Sequence, residues 1–233
     1  MRALLVASMT LFTTVFPGRA SAAAFERIVK MDKATIRLVD DGKFALLEIP
    51  CTNISPLTIT AWSYSIQAQY PDGSASSGGG NVDNVSALLA GNEEGAFRTG
   101  VTHGLTARLP LDGRGEAPLA AEATLRMLVF DDLSAVGDPQ EIIRLAASRR
   151  AMGKMMGDLL EEVEKARQSP DPKRELDALV AKHKSEGMVW VQLGPVFDKG
   201  PGAFESVLTM YRTIRDLWIR HSEVKPPDSS SGK

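Results

Sequence analysis

This chain of 233 residues has one cysteine, three histidines and few aromatic residues, 6% in all. Each scarcity excludes a chemistry. A single cysteine forms no internal disulfide and cannot build a cysteine-type zinc site. His103, His183 and His221 make no H-E-x-x-H arrangement. The chain has no G-x-S-x-G elbow and no P-loop, and Gly113-x-Gly115 lacks the third glycine and following helix of a dinucleotide fingerprint. Ser222-Glu223-Val224-Lys225 matches S-x-x-K by its letters alone, at the border of the C-terminal tail. Charge of one sign is also lacking: 27 basic residues face 29 acidic ones, a net charge of −2. A nucleic-acid binder needs a basic surface to offset phosphate, so that class is excluded. No catalytic residue and no cofactor is expected from these patterns.

The longest apolar run is at the N-terminus and is shorter than the roughly 18 residues of a membrane span. Arg2 precedes it, Pro17-Gly18 break it, and Ala20-Ser21-Ala22 is the small-x-small pattern behind which a signal peptidase cuts. Residues 1–22 are therefore predicted to be a signal peptide, which places the mature protein in the periplasm or outside the cell. Cleavage removes Arg2 and Arg19 and no acid, which takes the charge from −2 to −4. No membrane span is expected after cleavage. Residues 23–136 carry 9 basic and 14 acidic residues, net −5, and residues 137–233 carry 16 and 15, net +1. Cys51 is expected to be a buried thiol within a strand.

Residues 23–136 read as antiparallel β-structure. Trp62, Tyr64, Ile66, Ala68 and Tyr70 alternate with Ser63, Ser65, Gln67 and Gln69, so one set faces a core. Pro71-Asp72-Gly73 turns the chain. Strands are also predicted at 35–39, 44–51, 105–109 and 123–129, separated by turn residues. The glycine- and serine-rich stretch 74–84 and the polar break 90–95 are predicted loops, and Asp112-Gly113 a turn.

The run Leu46-Leu47-Glu48, then Asn53-Ile54-Ser55-Pro56-Leu57-Thr58-Ile59-Thr60-Ala61-Trp62, with Pro71-Asp72-Gly73 beyond, resembles the second and third strands of an immunoglobulin-like domain. Val129-Phe130-Asp131-Asp132 followed by Gly137-Asp138 resembles the last strand and exit turn. The proteins it resembles are secreted bacterial ones, many of them uncharacterised, and the likeness covers about half the chain. Cys51 has no partner cysteine, which departs from the antibody-type pattern. The resemblance implies a β-sandwich and no particular activity.

Residues 137–225 read as helical, and the fold class is α+β. Asp138-Pro139-Gln140-Glu141 is a helix start with a cap, a first-turn proline and a capping-box glutamate. Ile142, Leu145, Met152, Met155, Met156, Leu159 and Val163 then recur at helical spacing. Arg149-Arg150 interrupt that stripe, so the face is expected to stay partly exposed and available to a partner or a second copy. A second helix follows Asp171-Pro172 and closes before Gly187. Residues 188–193 form a short apolar run, 195–202 a loop, and a last helix carries Phe204 to His221. Residues 226–233 are a predicted disordered tail.

Asp131, Asp132 and Asp138 crowd one turn, and carboxylates on a turn are the weak calcium candidates of this chain. Their spacing is not that of an EF-hand, and Asp138 already has a task as a helix cap. His103 is read as lying in a loop. The expected function is that of a secreted or periplasmic non-enzymatic protein acting through protein–protein contacts or self-association of the helical region. The alternatives are a carbohydrate- or calcium-dependent binding module using the loops 74–84 and 131–138, and a periplasmic hydrolase whose site has no recognisable motif.

Overall fold

The computed structural model describes residues 22–88, 97–111, 116–183 and 201–225. The expectations for residues 1–21, 90–95, 112–115, 188–200 and 226–233 lie outside them. A short helix α1 (Ala22–Glu26) leads into β1 (Val29–Met31), β2 (Thr35–Val39), β3 (Phe44–Asn53) and β4 (Ile59–Gln69). Then come β5 (Ala75–Asp83), a 3-10 turn (Val85–Leu88), β6 (Thr102–Pro110), β7 (Ala120–Phe130) and β8 (Ala135–Gly137). Among the described residues three helices follow: α2 (Pro139–Arg167), α3 (Pro172–His183) and α4 (Pro201–His221). The class is α+β.

Among the described residues eight strands form two antiparallel sheets of four. In the first, β3 pairs on one side with β6 and on the other with β1 and β2 in succession. β1 covers residues 51–53 of β3 and β2 covers 44–48. Pro50, which has no N–H to donate, falls in the break between them. The second sheet runs β5-β4-β7-β8. Both sheets contribute to one core: Leu47, Ile49 and Leu105 from the first meet Trp62, Tyr64, Ile66 and Leu125 from the second. Strict alternation along β3 is visible in its burial, every second side chain being inside.

The stretch 74–84 departs from expectation, for it is strand β5 and not a loop. Its composition follows from its neighbour. A Cβ at Gly79 would lie 2.3 Å from the backbone oxygen of Tyr64, and one at Gly80 would lie 2.8 Å from the Tyr64 hydroxyl. That hydroxyl donates to the Thr106 carbonyl at 2.8 Å and accepts from the Thr106 N–H at 3.1 Å, joining β4 to β6 across the core. The glycines thus let a strand pass over a tyrosine that bridges two sheets.

β4 is buried on both faces over its first half, and polar alternation returns only beyond Ser65. The cause is α2, which lies on the outer face of the second sheet. Ile142 and Leu145 pack there on Ala61, Met127, Val129 and Ala135, with Val224 from beyond α4. Asp138 caps the helix by accepting from the Gln140 N–H at 2.8 Å, and Pro139 occupies its first turn. Ser63, only 1% exposed, donates to Glu141. Arg126 pairs with the same carboxylate at 2.9 Å.

The rest of α2 makes a second core with α3 and α4. It contains Met156, Leu159, Leu160, Val163, Leu176, Leu179, Phe204, Leu208 and Tyr211. α4 runs antiparallel to α2, since Arg212 pairs with Glu164 and Arg167 with Glu205, whereas Arg149 reaches the far end of α4 at His221. The methionine stripe divides: Met156 is core, while Met152 and Met155 are half-buried.

Candidate functional site

Arginine carries a charge that interiors reject unless it is paired. Arg149 is nevertheless completely buried. Its Nη2 donates to Asp83 Oδ1 at 2.9 Å and its Nε to Oδ2 at 3.0 Å, a bidentate fork on the last residue of β5. Nη1 donates to the His221 carbonyl at 3.0 Å, and Nη2 also reaches Thr60 Oγ1 at 3.3 Å. Thr60 Oγ1 in turn donates to the Val129 carbonyl at 3.2 Å. One guanidinium therefore ties the edge strand β5, the start of β4, and the C-terminal end of α4 to the middle of α2. Met152 and Met155 on this face are half-buried, so the expectation of a partly exposed face is corrected only for Arg149, which does not open it to solvent. Arg150 is exposed, but Arg149 points the other way, because successive helix positions differ by about 100°.

His221 belongs to the same cluster and is 3% exposed. Burial lowers its pKa, the charges of Arg149 and Arg220 lower it further, and Asp83 and Asp131 oppose them. Its Nδ1 and one oxygen of Asp131 are buried without a hydrogen-bond partner among the described residues. The Arg149 guanidinium is fully buried and matched by Asp83, whose side chain keeps 22% of its surface exposed.

The weak calcium candidates stand apart from one another in role. Asp132 accepts from the Ser134 N–H at 2.9 Å and from its hydroxyl at 2.6 Å. Asp138 caps α2 and lies 3.7 Å from Arg126. Asp131 lies within electrostatic range of His221. Among the described residues no group of three or more His, Cys, Asp or Glu side chains is placed to hold a metal ion.

His103 is not in a loop but in β6, directly opposite Cys51 on β3. Its ring centroid lies 4.8 Å from that of Phe97 and 5.3 Å from that of Trp62, which is 3% exposed. The expected burial of Cys51 and Trp62 is what the structure has. Burial pushes the Cys51 thiol up to about 12, so at neutral pH it is protonated and a poor nucleophile.

An open concavity lies elsewhere, between β7 and the β1–β2 edge. It is a cleft of about 640 Å³ lined by Met31, Ile36, Ile49, Leu119, Ala121 and Ala123, with Asp32, Lys33 and Glu122 also contributing. Leu119 is 72% exposed and Met31 37%. The cleft is bordered by strand edges and contains no histidine or cysteine.

No family model, curated protein or solved structure matches the chain.

The two features differ in how well they could be read in advance. The cleft left no signal, because it arises where two distant strands end side by side. Arg149 left one: Asp83 is a lone carboxylate at the end of a glycine-rich segment, and Arg149 breaks an apolar stripe. A charge inside a stripe is either exposed or paired, and a single sequence does not choose between them. Among the described residues no helix is long and apolar enough to cross a membrane.

Proposed function

We propose that this is an exported, non-enzymatic protein that works through protein–protein contacts, with an immunoglobulin-like sandwich as its rigid body. The observation carrying this reading is an open cleft bordered by strand edges, set apart from the buried Arg149–Asp83 pair. Arg149 is fully buried and paired with Asp83, while the open cleft sets Met31, Ile36, Ile49, Leu119, Ala121 and Ala123 beside Asp32, Lys33 and Glu122 along strand edges. A rigid two-sheet body with an open edge suits recognition of a polypeptide more than acid–base chemistry. The strand pairing supports the sandwich reading: β3 pairs with β6 and β4 with β7, as the B–E and C–F pairs do in immunoglobulin-like folds. Residues 1–22 support export by their sequence pattern.

Self-association of the helical region is the second reading, favoured by Ile143, Met210 and Ile219, which are 50%, 47% and 45% exposed. A photo-crosslinking amino acid placed at Leu119, at Met210 or at Arg150 in the producing cell tests both. Discrete protein adducts at Leu119 support the first reading, and dimeric adducts at Met210 support the second. An absence of adducts at all three positions removes the protein-contact reading. Mass spectrometry of the exported protein is expected to find Ala23 at its N-terminus. An intact Met1 on the soluble protein refutes export.

A further inference from the structure

A sheet edge exposes backbone donors and acceptors that need partners, and proteins normally cover or blunt it. β7 is paired along its whole length on one side, from Gln69↔Ala120 to Ile59↔Phe130. On the other side β8 reaches only Met127, Leu128 and Val129. The last bond on that side is from the Asp138 N–H to the Arg126 carbonyl at 2.8 Å, after which Pro139 carries the chain off as α2. Among the described residues no strand pairs with residues 120–125 of β7 on that side.

This bare edge faces the cleft. Its inward side chains are small, Ala121 and Ala123, and both line the cavity beneath it. Glu122 between them is exposed at the rim of the same cleft and forms no salt bridge among the described residues. Arg126 is already engaged by Glu141. Among the described residues the site therefore offers backbone without a strand partner, Ala121 and Ala123 over the cleft, and Glu122 at the rim without a salt bridge.

We propose that residues 120–125 of β7 accept an extended segment of a partner protein, added to the second sheet as a strand in line with β8. The segment has alternate apolar side chains that enter the cleft and a lysine or arginine at the rim beside Glu122. This deepens the protein-contact reading and rests on it. Each feature of the site selects one property of the occupant: main-chain pairing selects an extended backbone, the cleft selects apolar alternation, and Glu122 selects a basic residue at the rim. A second copy fits poorly. Antiparallel pairing of this stretch with itself, keeping inward residues inward, sets the two Glu122 carboxylates opposite or diagonal to each other, which is repulsive.

The test uses the exported chain and a ten-residue peptide in which valine alternates with threonine and lysine. Hydrogen exchange read by mass spectrometry is expected to slow in residues 120–125 when the peptide is added, with no comparable change in α3. Glu122→Lys, an exposed position, is expected to weaken binding of this peptide by about three- to ten-fold, and to favour a version with glutamate in place of lysine by a similar factor. Protection elsewhere without protection of 120–125, or an affinity indifferent to both charge reversals, overturns the proposal. Protection of 120–125 that rises with protein concentration in the absence of peptide overturns it in favour of a second copy. Should crosslinks form at Leu119 while the peptide leaves β7 unprotected, the strand-addition proposal fails and the broader protein-contact reading stands.

Discussion

Arg149→Met is the most informative single change in this molecule. Methionine keeps much of the packing stem but removes the bonds at 2.9 and 3.0 Å to Asp83, at 3.0 Å to the His221 carbonyl and at 3.3 Å to Thr60. Breaking a buried ion pair from one side costs roughly 3–5 kcal/mol, mostly because the abandoned charge stays out of water. Here the abandoned Asp83 keeps 22% of its side chain exposed and recovers part of its hydration. The expected loss is therefore at the low end, about 3 kcal/mol. Asp83→Ala is the harsher change, since it strands Arg149 at 0% exposure, and about 5 kcal/mol is expected. Replacing both, with Arg149→Met and Asp83→Leu, removes both charges and should recover much of the loss. Urea unfolding of the three variants measures these differences. At roughly 2–4 °C per kcal/mol, Arg149→Met lowers the thermal midpoint by about 6–12 °C. Hydrogen exchange is expected to place the loosening at the end of α4. A cost below about 1 kcal/mol for Arg149→Met, or a milder effect of Asp83→Ala, refutes the sealed-pair reasoning.

His221 gives a pH dependence with a definite sign. Its folded pKa is depressed below the ordinary 6.5, so the unfolded chain takes up the proton first, and stability falls as pH drops through 6.5 towards the lowered value. The urea midpoint should fall between pH 7.5 and 5, and His221→Gln should remove part of that slope. Gly153 lets α2 and α4 approach, because a Cβ there would lie 2.7 Å from Ile219 Cγ1. Gly153→Ala is expected to cost about 1–3 kcal/mol by overpacking, and Ile219→Ala in the same chain to relieve it, as read from thermal melts. Cys51 should resist a thiol reagent at pH 8 in the folded protein and react quickly in urea. Because its pKa rises from 9.0 to about 12 on folding, stability should decline as pH climbs from about 9 towards 12. A Cys51→Ala variant lacking that alkaline decline would assign it to this thiol.

Local pattern and tertiary placement divided the work along physical lines. Period-two alternation in residues 62–70 located β4 and its buried aromatic set, since the pleat puts alternate side chains on one face wherever the strand lies. The Asp138-Pro139 start of α2 was likewise legible, because capping depends only on the first turn. β5 was not legible. Its glycines and serines have the composition of a loop, and only Tyr64 on the neighbouring strand explains why glycine suits that surface. His103 was misread for a related reason: Thr102-His103-Gly104 has turn-like chemistry, but pairing with β3 holds it in a strand.

What the sequence alone determined is the succession of β-structure and helix, the burial of Cys51 and Trp62, and the cap that starts α2. All of these rest on interactions within a few residues or on simple apolar periodicity. Tertiary structure decided whether Arg149 would face solvent or a carboxylate, since its partner Asp83 lies 66 residues away and only the docking of α2 on the second sheet brings them together. It also left residues 120–125 of β7 without a strand partner on the β8 side among the described residues, beside a cleft. That edge exists because the chain leaves the sheet at Pro139 after a three-residue β8, while Met31 and Ile36, distant in sequence, form the opposite wall. Local propensity sets which segments can become strands or helices, and the packing of those segments against one another sets which charges are sealed and which backbone is left unpaired.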